Sequence, residues 1–243
     1  MDQPHDPYAR IADAYDAEFD DAEADVAGYA ARGVGGALLV LGCGTGRVCR
    51  GLATQRAVTG LDRSADMIAR ARLRSPGEVA YVVGDMTSFD LESFAEVVIP
   101  NAAFAFLPDR ASRSACLAAC RRALSAGGPL TLDLPMPDFG LLGHAHTPER
   151  EAWVGRVGGV LTRRTREVFR SPVAQSIRLI DRYWVEGARV AESELKLHLF
   201  TPDELEWMLE ACGFYVEATF GDHRGGPLRE GCDRLIVRAF PLV

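Results

Sequence analysis

Three groups of residues in this chain have the types and spacing to do chemistry. The first is Gly42-Cys43-Gly44-Thr45-Gly46, with glycine at every second position, directly after the apolar run Leu38-Leu39-Val40-Leu41. Glycines let a backbone bend sharply and let a ligand approach the main chain closely. A helix beginning near Gly46 would add unpaired N–H groups and a positive dipole end, which suit a carboxylate or a phosphate. The second group is acidic: Asp62 and Asp85 each close a short apolar stretch, and Asp62 lies 20 residues after Gly42. An acidic side chain at the tip of the second strand of a mononucleotide-binding fold meets ribose hydroxyls. The third group is aromatic and basic: Tyr8, Tyr15, Phe104, Phe106, His144 and His146. Aromatic rings can wall a pocket and contact cationic charge, and a histidine can accept a proton near neutral pH.

Each group also has a plain structural reading. The spacing G-x-G-x-G lacks the third glycine of the dinucleotide fingerprint, and no G-K-[ST] follows as in a phosphate-binding P-loop. Asp62 could cap a helix locally. Asp85 could be an ordinary turn residue, the histidines solvated, and Phe104 and Phe106 part of the core. His198 falls on the polar face of a strand, with pocket and solvent both open.

The elements needed to place these residues follow from periodicity. Tyr8, Ile11, Ala12, Tyr15 and Phe19 recur at helical spacing. Apolar strands are predicted at 37–41, 57–61, 79–83, 97–101 and 129–134, with helices at 46–55, 64–73 and 109–124 between them. Strands alternating with helices imply a parallel, doubly wound α/β sheet. From Pro135 the pattern changes to a loop holding His144 and His146. Three longer alternating segments follow, at 156–170, 173–185 and 189–200. Their two-residue period predicts antiparallel strands with one wet face, and Glu186-Gly187 reads as a turn. Thr201, Pro202 and Glu204 form a helix start with a capping box, ending at Gly213; strands at 214–220 and 234–240 complete the chain. The expected organisation is a core of residues 1–134 and 201–243 with an N-terminal helical lid. Residues 135–200 form an antiparallel insert covering an acceptor pocket.

Composition narrows the function classes. The chain has 243 residues, 48% hydrophobic and 25% charged, with formal net charge −7. This acidic balance argues against nucleic acid or an anionic membrane as partner. No apolar run has the length of a membrane helix, and Met1–Pro7 lacks the basic and apolar regions of a signal peptide, so the expected location is cytoplasmic. Six cysteines (43, 49, 116, 120, 212 and 232) include no C-x-x-C pair and read as buried thiols with no metal site.

Together, Val40-Leu41-Gly42-Cys43-Gly44-Thr45-Gly46, Asp62, Gly84-Asp85-Met86, Ser125-Ala126-Gly127-Gly128 and Phe200-Thr201-Pro202-Asp203-Glu204-Leu205 with Gly213-Phe214 resemble the class I S-adenosylmethionine-dependent methyltransferases, in that family's order and spacing. The resemblance implies a Rossmann-like seven-stranded sheet whose last strand is inserted antiparallel, with S-adenosylmethionine as cofactor. It places the Gly42–Gly46 loop, with Cys43 and Gly44, at the methionine portion and Asp62 on the ribose. Asp85 and Met86 flank the adenine, with Arg63 and Met67 near the adenosine. Ile99, Pro100 and Asn101 lie under the sulfonium and the methionine amino group. The Tyr15-Asp16 pair and the insert are similar to small-molecule N-methyltransferases of the nucleotide-sugar N,N-dimethyltransferase and glycine N-methyltransferase types. There the N-terminal tyrosines close over the cofactor, which assigns Tyr15 and Tyr8 here. Asn101, Phe104 and Phe106 would meet a small-molecule acceptor, and His144 or His146 would take a proton. The residues Ile99-Pro100-Asn101-Ala102 do not match the [DN]-P-P-[YF] pattern of nucleic-acid amino-methyltransferases. Oxygen or carboxyl methylation, a cofactor-binding protein without transferase activity, and a nicotinamide dehydrogenase are the rivals. An exposed insert edge could pair two chains into a homodimer.

Overall fold

The computed structural model describes residues 12–19, 23–75, 77 and 79–242. Two helices come first, α1 (Ala12–Phe19) and α2 (Ala24–Arg32). An alternating stretch follows: β1 (Leu38–Leu41), α3 (Arg47–Ala53), β2 (Val58–Asp62), α4 (Ala65–Arg74), β3 (Ala80–Val83), β4 (Glu96–Ile99), a 3₁₀ turn (Ala103–Phe106), α5 (Arg110–Ala123) and β5 (Leu130–Pro135). After the short α6 (Phe139–Leu142) come four long strands, β6 (His146–Val157), β7 (Val160–Ser171), β8 (Ser176–Val185) and β9 (Ala188–His198). The chain closes with α7 (Pro202–Ala211), β10 (Phe214–Phe220) and β11 (Arg234–Pro241).

Seven strands form one sheet in the order β10-β11-β5-β4-β1-β2-β3. The pairs among β1 to β5 are parallel, and β11 runs antiparallel between β5 and β10. The expected doubly wound sheet with an antiparallel terminal strand is therefore the one observed. Its two faces follow from strand alternation. Leu39, Leu41, Val97 and Ile99 pack into the core that also takes Leu117, Leu205 and Phe214. Leu38, Val40 and Val98 pack into a second core with Val48, Leu52, Ile68 and Tyr29.

The other four strands form a separate antiparallel sheet in the order β6-β7-β8-β9. Three strands are predicted from the sequence and four are found. The segment read as 156–170 crosses a hairpin at Gly158-Gly159, both with positive φ (57° and 85°). Its first arm, β6, is mostly exposed and carries bulges near Thr147 and Glu151, which interrupt the apolar alternation. The turn at Glu186-Gly187 is observed, with φ 49° and 84°.

Local signals hold at most helix ends. Ser64 Oγ accepts from Met67 N, Asp109 accepts from Ser112 N, and Thr201 accepts from Glu204 N. The Thr201 capping box is only half made, because Glu204 turns its carboxylate to His198 and Gln175 instead of returning to Thr201. No helix among the described residues is long and apolar enough to cross a membrane.

Candidate functional site

A cavity of about 460 Å³ lies at the carboxyl ends of the parallel strands. That is where open α/β sheets bind ligands, and the volume falls within the ordinary range of small-molecule sites. It is lined by the β1–α3 loop, the tips of β2 and β3, Tyr15 of α1, residues Asn101, Ala103, Phe106, Leu107, Pro108 and Ser112, and Glu194, Leu195 and Lys196 of β9, with Ala103 close against Gly42.

The glycine loop is shaped by what surrounds it. A Cβ at Gly42 (φ 68°) would lie 2.5 Å from the Ala103 Cβ, and one at Gly46 (φ 81°) would lie 2.2 Å from the Tyr81 hydroxyl. Those positions admit only glycine without movement. A Cβ at Gly44 would meet nothing within 4 Å, so the open side of the loop is there. Asp62 holds the loop in place: Oδ2 accepts from Gly44 N at 2.8 Å and Oδ1 accepts from Ser64 N at 2.9 Å. Asp85 Oδ1 accepts from Thr87 N and Oγ1, both at 2.8 Å. Leu61, Met67 and Met86 fill the wall between the two carboxylates. This donor set fits an adenosine-type ligand, with acidic groups for hydroxyls and an apolar wall for a ring.

At the centre is a relay around Asp25 of α2, joined by Arg47 of α3 and Asn101 after β4, a set that the sequence reading does not bring together. Asp25 accepts two bonds from Arg47, at 2.8 and 2.5 Å, one from Val26 N at 2.7 Å, and one from Asn101 Nδ2 at 3.3 Å. Burial works to raise the Asp25 pKa, but the Arg47 hydrogen bonds and charge, with the other two donors, hold it below its ordinary value. An ionised carboxylate only accepts, so the Asn101 amide must face it with its NH₂ group. Oδ1 is then the free end of the amide, and among the described residues it accepts no hydrogen bond. Arg47 is pushed above its ordinary value, since bonding to Asp25 outweighs burial, and stays charged.

Asn101 and Ala102 are held in left-handed backbone, at φ 50° and 66°. Such conformations cost about 1–3 kcal/mol each in non-glycine residues and persist where surroundings impose them. Here Asp133 at the end of β5 does so. Its carbonyl accepts from Ala102 N at 2.9 Å, and its carboxylate makes a long 3.4 Å contact with Asn101 N. That carboxylate is fully buried and also bonds Tyr29, His223 and Arg234. Burial would raise its pKa, but the His223 bond, the Arg234 charge and the Tyr29 bond keep it low.

The residues singled out from sequence divide clearly. Tyr15, Gly42, Cys43, Gly44, Asp62, Arg63, Met67, Asp85, Met86, Pro100, Asn101 and Phe106 all line the cavity. Others are elsewhere. Ile99 faces the core because strand alternation turns it away from the cavity side. Gly46 turns toward Tyr81. Phe104 is fully buried and packs on Phe200 at 5.5 Å between centroids. His144 is exposed, and His146 pairs with Glu167 at 2.9 Å while stacking on Phe169. His198 pairs with Glu204 at 2.8 Å. Tyr8 lies outside the described residues.

Tyr15 and Asp16 work as a pair because helix geometry turns neighbours apart. Tyr15 reaches the cavity, while buried Asp16 bonds Arg70 at 2.9 Å and Arg74 at 2.6 Å on α4. Burial raises the Tyr15 pKa against the opposing Arg47 charge, so its hydroxyl stays neutral. The Cys43 thiol is pushed well up by its bond to Cys49 and by burial, which keeps it a thiol and a poor nucleophile. Sequence reasoning missed Asp25, Leu107, Pro108, Ser112, Glu194 and Lys196. The last two were legible as charged positions on a wet strand face, but not as cavity wall.

Residues 38–128 match a family described as a methyltransferase domain. Trans-aconitate 2-methyltransferase of Methylobacterium nodulans is 38% identical over 98 residues, which covers 39% of this chain and 36% of that relative, about a third of its length. Among solved structures, the amino pentose methyltransferase CalS10 from Micromonospora echinaspora, bound to S-adenosylmethionine, is 28% identical. It has a TM-score of 0.71 and coverage of 99% of each chain. The CcbJ methyltransferase from Streptomyces caelestis has TM-score 0.83 at 20% identity, covering 98% of this chain and all of that one.

Proposed function

We propose that this chain, which carries a class I methyltransferase domain, transfers a methyl group from S-adenosylmethionine to an amine nitrogen of a small molecule. The observation that carries this reading is one cavity lined both by the glycine loop, Asp62 and Asp85 and by Asn101, Phe106 and β9. Two molecules can meet there in line.

When bound, the cofactor supplies a sulfonium that already makes its methyl electrophilic. The protein's work is then placement and exclusion of water. Orientation of this kind can supply about 7–11 kcal/mol in favourable cases. Asp62, Arg63, Met67, Asp85 and Met86 would hold the adenosine side, and Gly42, Cys43, Gly44 and Pro100 the methionine side. Tyr15 closes the near wall, and Phe106, Leu107 and β9 cover the acceptor end. Asn101 Oδ1, aimed by Asp25, accepts an N–H.

The choice of nucleophile follows from which bases are present. An alcohol needs a base at the reacting oxygen, and among the described residues no histidine lines the cavity. An amine can bind in its neutral fraction. A carboxylate also needs no base, and the relative named for trans-aconitate keeps carboxyl methylation as the second reading. The amine is favoured because CalS10, named for an amino pentose, resembles this chain along its full length, whereas the other match spans 39% of it.

Calorimetric titration with S-adenosylmethionine, S-adenosylhomocysteine and NADH, on the natural chain and Asp62→Ala, is the test. Binding of the first two, weakened in the variant, is expected, followed by turnover of amines in a screen against alcohols and acids. Binding of NADH alone would overturn the proposal.

A further inference from the structure

The buried Asp133 carboxylate does not share its oxygens evenly. Oδ1 takes Arg234 alone, from Nε at 2.8 Å and from Nη2. Oδ2 takes three donors: the Tyr29 hydroxyl, His223 Nε2 at 3.0 Å and Asn101 N at 3.4 Å. A carboxylate oxygen offers about two lone-pair sites, so one of the three donors is left with a poor bond. That donor is Asn101 N, whose contact lies beyond the ordinary N–H···O range of about 2.7–3.2 Å.

His223 reaches this oxygen from the β10–β11 loop, no residue of which lines the cavity. The loop is seated on α2. Arg32 Nη1 donates to the His223 carbonyl at 2.8 Å, and the Tyr29 and His223 rings meet edge to face at 5.8 Å. A Cβ at Gly28 would lie 2.3 Å from that carbonyl, so only glycine lets the helix and loop approach so closely. The charged and titratable groups facing His223 are Asp133 from β5, Tyr29 and Arg32 from α2, and Arg234 from β11, with Asp222 and Arg224 beside it in the loop. By residue type, the imidazole is the one among them that changes charge between about pH 5 and 8. Asp133 is ionised and only accepts, so Nε2 carries a proton in either charge state of the ring. Nδ1 makes no hydrogen bond among the described residues, and the side chain is 18% exposed, so the second proton comes and goes there. A cationic donor bonds a carboxylate more strongly than a neutral one.

We propose that His223 is a positioning residue for Asn101: by competing for Asp133 Oδ2 it sets how firmly the Asn101 backbone amide is held, and with it the placement of the Asn101 side chain in the cavity. Charging the ring strengthens its claim on the oxygen and loosens Asn101. Discharging it lets the Asn101 N–H close on Oδ2. The use of Asn101 in methyl transfer rests on the reading above, whereas its coupling to His223 does not.

Asn101 is the only asparagine in the 243 residues, so incorporating ¹⁵N-asparagine gives one backbone amide and one side-chain amide to observe by NMR. Between about pH 5 and 8 the Asn101 backbone proton should move upfield as pH falls, with the same midpoint as the His223 ring. In His223→Leu the signal should lie downfield of its place in the natural chain and stay flat with pH, because Asn101 gains the vacated lone pair. His223→Gln keeps an N–H donor that cannot gain charge, so its signal should also stay flat, near the position of the neutral-ring form. Asn101 signals that stay flat while the His223 ring titrates would overturn the proposal, and that measurement needs no variant. An unmoved signal in His223→Leu would overturn it whatever the charge of the ring. A pH shift that survives in His223→Gln would do the same, since another group would then be its source. A mere loop anchor would lower the thermal midpoint of the variants and leave the Asn101 signals in place. S-adenosylhomocysteine titrated into the same samples keeps the two readings apart: failure to bind would sink methyl transfer and leave the coupling standing. Once an acceptor is found, His223→Leu should lose about fivefold in kcat/KM, the scale of one ordinary hydrogen bond, and His223→Gln should recover most of it.

Discussion

Replacing Asp25 by asparagine tests the relay at the centre of the site. The substitution keeps volume and removes charge. In the natural chain the Asp25 and Arg47 side chains are 6% and 12% exposed, and the pair is bidentate. Removing one partner of a buried pair costs about 3–5 kcal/mol, because the other charge is left uncompensated. Arg47 opens onto the cavity, where water can take part of that load, so the low end, about 3 kcal/mol, is expected for Asp25→Asn. A second consequence concerns Asn101. Opposite a carboxylate its amide has one orientation; opposite another amide it has two. S-adenosylhomocysteine should therefore bind about tenfold more weakly, equivalent to about 1.4 kcal/mol. Urea denaturation gives the stability term and calorimetry the binding term. The double variant Asp25→Asn/Arg47→Met separates the causes, since it removes the stranded charge, and about 1–2 kcal/mol of stability should return. A single variant that loses less than about 1 kcal/mol, or a double variant no more stable than the single, would refute the buried-pair argument.

Two further outcomes follow from the same geometry. Gly46→Ala should lose about 2 kcal/mol or more, because a Cβ in left-handed backbone is strained and this one would press on the Tyr81 hydroxyl; an unchanged thermal midpoint would contradict the tight approach. Asp133 is held below its ordinary pKa in the folded chain, so its contribution is present above the unfolded value of about 3.9 and is lost as pH falls through the folded one. The stability gap between the natural chain and Asp133→Asn should be widest near neutrality and narrow below about pH 4, as read from urea midpoints across pH.

What could be read from sequence, and what could not, has physical reasons. The parallel strands and the glycine loop were legible because buried parallel strands are continuous apolar runs that stop at turn residues, as at Leu41-Gly42. Asp62 and Asp85 were legible because they end such runs. Helix α2 was not singled out, although Val26, Tyr29 and Ala30 give it a packed apolar face: Ala24–Arg32 is short, rich in alanine and interrupted by a glycine. Its role appears only in three dimensions, where Asp25 meets Arg47 and Asn101, and Tyr29 meets Asp133. Ile99 and Phe104 were misplaced because the right stretch was chosen without resolving which face each residue takes. The histidines were chosen by chemical type, and nothing local to His144 or His146 encodes distance from the cavity. Strand β6 was lost because a two-sided wet strand with bulges gives little alternation to detect.

Strand β9 packs Leu195 and Leu197 against the main core and carries Glu194 and Lys196 on the alternate positions. Its register against β8 is set by the Glu186-Gly187 turn together with the bulge beside Val190, where Trp184 pairs with Arg189 and Tyr183 with Ala191. A gain or loss of one residue in the turn would exchange the two sets, presenting charges to the core and leucines to the other face, unless that bulge took it up. Side-chain replacement in place therefore leaves the packed face of β9 intact, whereas a change in hairpin length has to be absorbed within the few residues between the turn and Ala191.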